Sequence, residues 1–523
     1  MTKRDLLIVF VAAVALYLPT VRHGFVQDDR AIIASNPAAH SIPRAIVAFG
    51  APYWPPETGA GLYRPATILS YAIDWTISGG RPGWFHLVNA LWHGVVTVLL
   101  VLVLARWLPP LAALAAGLVF AWHPVHVEAV ASLVGRAELL VAAGILGAVL
   151  AARRRWWISA GLCAALAMFS KEHGVIAGVV ILFDWWLRPH HASPFSGTER
   201  GSGSEHYPLG FWLALVLLTA GYLVLWRVIG WAGANDAAAI FYHGGMSGRL
   251  AVALPALWRA AVLLVLPVSL SSDYGPQVIA TNAGFSLAAV LGLTVLVAVP
   301  ALVVLCRRRA PAIAFTAALA ALSYLPTSNL FFPSGIVLAE RNLYLAVALV
   351  AAALGMGMTW VAARRGLRPA VLCAALLLVL GVGRSFARLP AWRDNRAELL
   401  ALLEDHPESY RGHGSAAAVL AGTGDTAGAR REYRMADSLF PEDPFLIAAR
   451  AIFLLGIGDT AGAAPLVARA QEMAAGGVGD RPALRARFVL ELARGHRAQA
   501  AQIADSARRR FSGEARWYRF YLQ

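Results

Sequence analysis

Two adjacent carboxylates, Asp28 and Asp29, follow the first apolar segment of the chain after a few intervening residues. A carboxylate can take a proton from a hydroxyl group and so act as a general base. An acidic pair just beyond a helix is also typical of a solvated loop or a helix cap. The pair alone does not distinguish these two interpretations, so the remaining charged residues must be considered with it.

Four further segments between apolar runs carry charged or imidazole side chains that a plain loop does not need. They contain Arg64; His123, His126, Glu128, Arg136 and Glu138; Lys171, Glu172 and His173; and Glu340 and Arg341. Ionisable groups at the edge of a membrane are costly and usually face a cavity. On one side of a membrane they could line one cleft, in which carboxylates take protons and cations hold a phosphate group.

Several of these residues have a structural alternative. The sequence HPVHVE at 123–128 offers two imidazoles and a carboxylate, which divalent metal ions accept as ligands, but hydrogen bonding within the protein is favoured over metal. His86, Asn89 and His93 share one helical face, where interhelical hydrogen bonds explain them as well as substrate contact does. Lys171 is one of only two lysines in the chain, so function and a structural ion pair stay equally open for it.

The composition indicates which elements must position these residues. Only 14% of the 523 residues are charged and 58% are hydrophobic, whereas soluble domains carry about 25% charged residues, so the chain is predicted to be mainly a membrane protein. The net charge of +15 is attributed to basic cytoplasmic loops and an Arg-rich tail, and no nucleic-acid partner is expected. The three cysteines indicate neither a disulfide framework nor a metal site. Apolar runs near bilayer-crossing length are 5–21, 86–106, 109–122, 133–152, 156–170, 173–188, 208–229, 285–306, 311–327, 341–360 and 369–387.

The arginine clusters orient these eleven predicted spans. Residues 153–155, 307–309 and 364–365 mark cytoplasmic turns under the positive-inside rule, as do Lys3 and Arg4 for the N-terminus. The polar link that begins at Arg188 is predicted to be a flexible cytoplasmic loop. A further apolar run, 250–270, would break the alternation if it crossed, so we expect a re-entrant or interfacial helix on the outer side. The protein is then predicted in the cytoplasmic (inner) membrane, with the charged turns and the C-terminal tail on the periplasmic side.

The last part of the chain is predicted to be a separate domain, 391–523, after a membrane domain, 1–390. The hexapeptide GDTAGA begins at Gly424 and again at Gly458, 34 residues later. This is the period of tetratricopeptide (TPR) repeats, which are stacked helical hairpins. A third, diverged unit is predicted around residues 492–507, and an Ala-rich helical linker is the alternative.

An ordered set of motifs resembles a known family. FVQDDRAIIASNP, YRPATILSY, WFHLVNALWH, HPVHVEAVASLVGRAELL, SKEHG and AERNLYL occur in that order, followed by the repeats. Together they resemble the transmembrane and TPR repeat-containing (TMTC) O-mannosyltransferases, in a bacterial member. The resemblance covers nearly the whole chain, although 190–290 matches poorly.

The resemblance implies an all-α polytopic membrane fold of the GT-C glycosyltransferase type with about eleven transmembrane helices and a C-terminal TPR α-solenoid. It implies transfer of a sugar, with mannose favoured, from a polyprenyl-phosphate carrier to an acceptor hydroxyl on the outer face. The acidic motif of the family maps to Asp28 and Asp29, and its first acidic residue to Asp28, as the catalytic base. Departure of the phosphate needs positive charge, for which Arg341, Arg136, Lys171 and Arg64 are candidates.

The remaining expectations concern other cleft residues, cofactors and partners. His123, His126, Glu128, Glu138, Glu172, Glu340 and His86 are candidates for the rest of the cleft. No cofactor is required beyond the lipid-linked donor, and a divalent metal is not favoured because a lipid monophosphate carries less charge than a nucleotide-sugar diphosphate. The repeats would hold a protein acceptor through Ser or Thr, although a cell-envelope lipid or glycan stays open. The alternative function is a non-enzymatic membrane-anchored TPR scaffold for envelope assembly or transport.

Overall fold

The computed structural model describes residues 1–55, 61–187, 207–230, 237–242, 245–279, 286–475, 479–511 and 517–518. Within these ranges the chain forms helices and no strand, which confirms the predicted all-α class. The predicted cytoplasmic link falls largely at 188–206, outside the described residues. The first 390 residues contain α1 Lys3–Tyr17, α2 Ile42–Val47, α3 Pro65–Ser78, α4 Pro82–Leu104, α5 Pro110–Ala121, α6 His126–Ala131, α7 Arg136–Arg153, α8 Trp157–Ser170, α9 Ala177–Trp186, α10 Leu209–Leu225, α11 Gly245–Val265, α12 Pro276–Ile279, α13 Leu287–Cys306, α14 Pro311–Tyr324, α15 Val347–Arg365 and α16 Leu367–Arg388.

Eight helical segments of the described chain are long and apolar enough to cross a membrane. They are Lys3–Arg22, Pro82–Leu104, Leu133–Arg153, Leu209–Gly230, Gly245–Val265, Leu287–Cys306, Val347–Arg365 and Leu367–Trp392. The chain is therefore a multi-pass membrane protein. Seven of these segments coincide with predicted spans, and the eighth contains α11.

The other four predicted spans contain shorter helices. α5, α8, α9 and α14 have 10 to 14 residues, or about 15–21 Å at 1.5 Å per residue. A bilayer's hydrocarbon core is about 30 Å thick. Turns of 3-10 helix extend two of them, at Glu172–Ile176 before α9 and at Leu325–Thr327 after α14. Seven of the eleven predicted spans thus have full crossing length and four are short, while the eighth long segment contains α11, which was not counted as a span.

The helix α7 lies at the centre of the membrane part. Of its 18-residue apolar window, 83% is buried inside the protein. Gly144 lets α8 approach closely, because a Cβ at this position would stand 2.7 Å from the carbonyl oxygen of Cys163. The first residues of α7 include the candidate site residues Arg136 and Glu138. Both are buried, at one end of this central helix.

Ionic contacts mark the two edges of the helix layer. At one edge, which we call the basic edge, Arg153 at the end of α7 pairs with Asp184 of α9 at 2.6 Å. At the same edge Arg307 lies over the ring of Trp186. We call the opposite edge, which carries the candidate site, the site edge. Two of the arginine clusters used for the topology prediction, 153–155 and 307–309, thus lie at one edge, although the side of the membrane that each edge faces stays a prediction.

The segments on both sides of α11 contact the C-terminal helices. Before it, Ala239 packs in an apolar cluster with Tyr410 and Phe440 of the C-terminal region. After it, the Gln277 amide donates a hydrogen bond of 2.6 Å to the carbonyl oxygen of Leu439. Both flanks of α11 therefore contact the same group of helices. The helix α11 itself runs as one unbroken element, unlike a re-entrant hairpin, and is long and apolar enough to cross, so its predicted interfacial position stays a prediction. Its depth in a bilayer stays a prediction.

Helical hairpins follow the membrane part. The helices are α17 Asn395–Asp405, α18 Tyr410–Gly422, α19 Thr426–Leu439, α20 Pro444–Gly456, α21 Thr460–Ala475, α22 Asp480–Ala493 and α23 Arg497–Arg510. In both GDTAGA copies the glycine takes a left-handed φ, +87° at Gly424 and +80° at Gly458. The following aspartates, Asp425 and Asp459, accept backbone hydrogen bonds from the first turns of α19 and α21. The hexapeptide is thus the turn and N-cap of the second helix in each hairpin.

Candidate functional site

The carboxylate of Asp29 is used to hold its own loop. Asp29 is fully buried, and its two oxygens accept backbone N–H groups, from Val26 at 3.0 Å and from Val134 at 2.9 Å. Burial raises the pKa of Asp29 to about 7, against the lowering effect of these hydrogen bonds. Because Val134 lies just before α7, Asp29 fastens the acidic loop to the central helix.

The carboxylate of Asp28 is placed differently. Asp28 is only partly buried, and among the described residues its side chain has no hydrogen-bond or ion-pair partner. The negative charge of Asp28 acts on Arg341. Burial would lower the pKa of Arg341, but the charges of Glu128 and Asp28 raise it above its ordinary value. Asp28 is therefore the member of the pair whose oxygens are unbonded within the described part of the chain and whose charge acts on a cation.

Two of the candidate cations form ion pairs close to one another. The Arg64 guanidinium binds Glu172 through two nitrogens, with Nε to Oε1 at 3.0 Å and Nη2 to Oε2 at 2.8 Å. Lys171 pairs with Glu138 and also donates to Asn342 Oδ1 at 2.9 Å. Because the ammonium of Lys171 and the carboxylate of Glu138 are in direct contact, we treat this pair as ionised.

The third cation, Arg341, is anchored by Glu128. Glu128 Oε2 accepts the backbone N–H of Arg341 at 2.9 Å, and its other oxygen accepts from Nη1 of the guanidinium. Nε and Nη2 of Arg341 have no partner among the described residues, and the side chain is 19% exposed. Arg341 therefore keeps free donors that an additional anion could accept.

The neighbouring Glu340 faces away from these cations. Its Oε1 accepts the backbone N–H of Ser271 and the hydroxyl of Tyr274, both at 2.6 Å. Burial raises the pKa of Glu340 to about 8, with a further contribution from the charge of Glu128. Glu340 thus fixes the segment after α11 rather than lining the free face of Arg341.

The three pairs form one charged cluster at the site edge. The charges of Arg64 and Arg341 act on Lys171, and the charge of Glu138 acts on Arg64 and Arg341. The elements that supply the cluster are the starts of α3, α6 and α7, the end of α8, and the turn before α15. We call Asp28, Arg64, Glu128, Glu138, Lys171, Glu172 and Arg341 the charged cluster. Residues up to 313 positions apart in the chain meet there, and their chemical roles stay predictions.

Arg136 is not part of the charged cluster, in contrast to its prediction as a phosphate contact. Its guanidinium is fully buried and pairs with Asp74 of α3. Nε donates to Asn89 Oδ1 at 2.8 Å and Nη2 to the carbonyl oxygen of Phe85 at 2.9 Å. With each nitrogen engaged inside the protein, Arg136 ties α3, α4 and α7 together. The lone acid in the apolar stretch of α3, Asp74, was the sequence signal that we missed.

The predicted histidines bind mostly backbone carbonyl groups. Nε2 of His86 lies 3.3 Å from the carbonyl oxygen of Gly24, that of His123 lies 3.0 Å from Leu264, and that of His126 lies 3.0 Å from Tyr344. His173 instead lies 3.3 Å from Glu138. Within the described part of the chain, no three His, Cys, Asp or Glu side chains group in a way that could hold a metal ion. The imidazoles of HPVHVE thus act as packing and hydrogen-bonding groups, and they do not converge with Glu128 on one point.

Sequence reasoning missed two other residues of this region. Tyr53 stacks under the Arg64 guanidinium, whose carbon lies 4.9 Å from the ring centroid, and Asn342 accepts from Lys171. Asn342 directly follows Arg341 in AERNLYL, so its place in that motif was an available signal. Nothing in the sequence around Tyr53 distinguishes it from the other tyrosines.

The structure so far defines a multi-pass helical membrane protein with an ionised cluster at one edge and helical hairpins after its last span. Comparison with known proteins gives a more specific similarity. The chain is 29% identical over 389 residues to mouse protein O-mannosyl-transferase TMTC3, covering 65% of this chain and 40% of the mouse protein. It is 38% identical over 192 residues to Drosophila melanogaster Tmtc2, covering 33% of this chain and 20% of that protein.

A nematode relative matches over a longer stretch. Protein O-mannosyl-transferase F38B6.6 of Caenorhabditis elegans is 26% identical over 461 residues, covering 84% of this chain and 63% of that protein. The homologues of the chain are thus TMTC-type O-mannosyl-transferases, which confirms the resemblance drawn from the motifs. The chain spans less than half the length of the mouse protein and less than two thirds of the nematode one.

Two other comparisons add little. No protein-family profile matches the chain. Among solved structures, ArnT from Cupriavidus metallidurans bound to undecaprenyl phosphate aligns with a TM-score of 0.34 and 14% identity, over 78% of this chain and 81% of that chain.

Proposed function

We propose that the protein is a membrane glycosyltransferase that moves a sugar, with mannose favoured, from a polyprenyl-phosphate carrier to an acceptor hydroxyl. The acceptor hydroxyl is proposed to be that of a protein Ser or Thr on the periplasmic side. The observation that carries the proposal is the charged cluster, where the charge of an unbonded carboxylate, Asp28, acts on a cation with free donors, Arg341. The similarity to protein O-mannosyl-transferases supports the same reaction class.

The reaction needs one base and one anion-stabilising group. The acceptor oxygen attacks the anomeric carbon of the sugar and forms the new glycosidic C–O bond. The bond between the anomeric carbon and the phosphate oxygen breaks, and the phosphate leaves with that electron pair. Asp28 takes the hydroxyl proton, since Asp29 already accepts two backbone N–H groups.

The leaving phosphate is assigned to Arg341. A guanidinium has five N–H donors, and Arg341 uses only Nη1 on Glu128 among the described residues. Arg64 and Lys171 belong to the same charged cluster, but more of their N–H donors are already used. Arg64 donates to Glu172 through two nitrogens, and Lys171 donates to Glu138 and Asn342. They would stabilise negative charge at longer range.

The hairpins α18–α23 are proposed to recruit the acceptor. Stacked helical hairpins present an extended concave surface, and these lie directly beyond the site edge. The rival proposal, a scaffold without catalysis, explains the hairpins but gives no reason for a costly ionised cluster in the membrane part.

The test is transfer of a labelled sugar by the purified full-length protein in lipid nanodiscs. Defined polyprenyl-phosphate sugars serve as donors, and envelope extract serves as the acceptor source. Transfer that is lost in Asp28→Asn supports the proposal and identifies donor and acceptor class together. Absence of transfer from every donor, with the protein folded, favours the scaffold.

A further inference from the structure

The loop that carries Asp28 is held from the far end of the chain. The backbone N–H of Gln27 donates to Asn395 Oδ1 at 2.7 Å, across 368 positions of sequence. The N–H of Gly24 donates to the carbonyl oxygen of Arg393 at 2.9 Å. The start of α17, just after the last span, therefore contacts the loop immediately before the proposed base.

The conformation of Gln27 explains why such a hold matters. Its φ is +46°, in the left-handed region that residues other than glycine rarely adopt. Such a backbone persists only where the surroundings fix it. Here the side-chain oxygen of Asn395 fixes the backbone of Gln27, and Glu398 lies one turn further along the same helix. Glu398 is itself nearly buried and bonded to Ser272.

We propose that Asn395 is a positioning residue for the base Asp28. Asn395 acts through Gln27 and not on the reacting groups; by holding Gln27 in its left-handed conformation it fixes the direction of the Asp28 side chain within the charged cluster. The inference rests on the proposed function, because it assigns Asn395 a part in the same reaction. It also means that the first turn of α17 completes the catalytic loop and does not merely link two domains.

The loop that carries Asp28 is also held on its other side. Asp29 ties the loop to Val134 at the start of α7, which fixes the far side of Asp28. Asp28 thus lies between two anchors, one from the central helix and one from α17. Loss of the α17 anchor frees only the Gln27 side, so the loop stays attached while the direction of Asp28 changes.

The experiment compares three variants of the full-length protein in nanodiscs. Asn395→Ala removes the oxygen that accepts the hydrogen bond from Gln27, and Asn395→Asp keeps an oxygen in the same place. Arg396→Ala alters the neighbouring exposed residue and is the matched control. Steady-state transfer gives kcat and the donor KM separately. Amide hydrogen exchange of the peptide containing Gln27 reports the contact without any need for activity.

The expected pattern is specific to positioning. Asn395→Ala should lower kcat by about 10- to 100-fold, since a shift of about 1 Å can cost that much, and leave the donor KM near the wild-type value because Arg341 is untouched. Exchange at the Gln27 peptide should be faster. Asn395→Asp should restore both readouts, and Arg396→Ala should change neither.

The failures are distinguishable. A wild-type kcat in Asn395→Ala, in a preparation where Asp28→Asn abolishes transfer, overturns the inference and leaves the proposed function standing. Unchanged exchange at the Gln27 peptide in Asn395→Ala overturns it as well. If the wild-type protein transfers no sugar from any donor, the proposed function falls and with it the catalytic meaning of Asn395.

Discussion

Replacing each member of the acidic pair by asparagine separates a chemical role from a structural one. Asp28→Asn removes a proton acceptor that, among the described residues, has no hydrogen-bond partner. Asp29→Asn removes one of two carboxylate oxygens that each accept a buried backbone N–H. The two substitutions are the same in chemistry and adjacent in sequence, so each is the control for the other.

The magnitudes follow from these contacts. Loss of a general base typically lowers turnover by about 10²–10⁴-fold, which we expect for Asp28→Asn. Its stability should change by less than about 0.5 kcal/mol, as for substitutions that break no contact. In Asp29→Asn the amide nitrogen would face a backbone N–H, and an unsatisfied buried donor costs about 1–3 kcal/mol. Asp29→Asn should therefore lower the melting midpoint, with turnover falling only as far as the loop loosens.

The assay pairs labelled-sugar transfer with thermal unfolding of the same nanodisc preparations. Donor binding should survive in Asp28→Asn, because the cations are unchanged. A larger loss of turnover in Asp29→Asn, at an unchanged melting midpoint, would move the base to Asp29. Intact turnover in both single variants and in the double variant would refute the acidic-pair mechanism.

Three further predictions test other parts of the structure. Arg341→Ala should raise the donor KM and lower kcat, and should do so more than Arg64→Ala; equal effects would remove the special role of its free donors. Glu340→Gln keeps both hydrogen bonds to Oε1. Because the folded pKa of Glu340 is raised to about 8, the wild-type carboxyl stabilises the fold at low pH and loses this as pH rises through about 8. Between about pH 5 and about pH 9, the melting midpoint of Glu340→Gln should therefore fall less than that of the wild-type protein. An equal fall in both proteins would contradict this. A reporter active only in the periplasm, fused after Gln523, should be active; cytoplasmic activity would reverse the topology.

The sequence was informative where short-range rules decide the structure. Apolar length predicted the membrane helices, since the backbone in a bilayer must satisfy its own hydrogen bonds. The repeated hexapeptide predicted hairpins because Gly424 and Gly458 need a left-handed turn and the next residue caps a helix. The charged turns were predicted to meet because alternate loops of a polytopic protein share a side of the membrane.

The sequence could not predict which charges pair. Arg136 and Lys171 both lie in charged turns, yet Arg136 is enclosed by Asp74, Asn89 and Phe85 while Lys171 reaches the cluster. The difference depends on how α3 packs against α7, which no local pattern encodes. The contact of Gln27 with Asn395 is likewise invisible in sequence, because it joins a loop to the first turn of a helix 368 positions away.

The charges of the cluster link donor binding to proton transfer. Arg64, Lys171 and Arg341 are each matched by a glutamate, and Asp28 is a further carboxylate, so under the proposed function an incoming phosphate adds negative charge to a cluster in which the acids already outnumber the cations. A carboxylate beside a second negative charge holds a proton more tightly. Under the proposed function, the proton that Asp28 takes from the acceptor hydroxyl therefore offsets the negative charge that the phosphate brings to the cluster as it leaves.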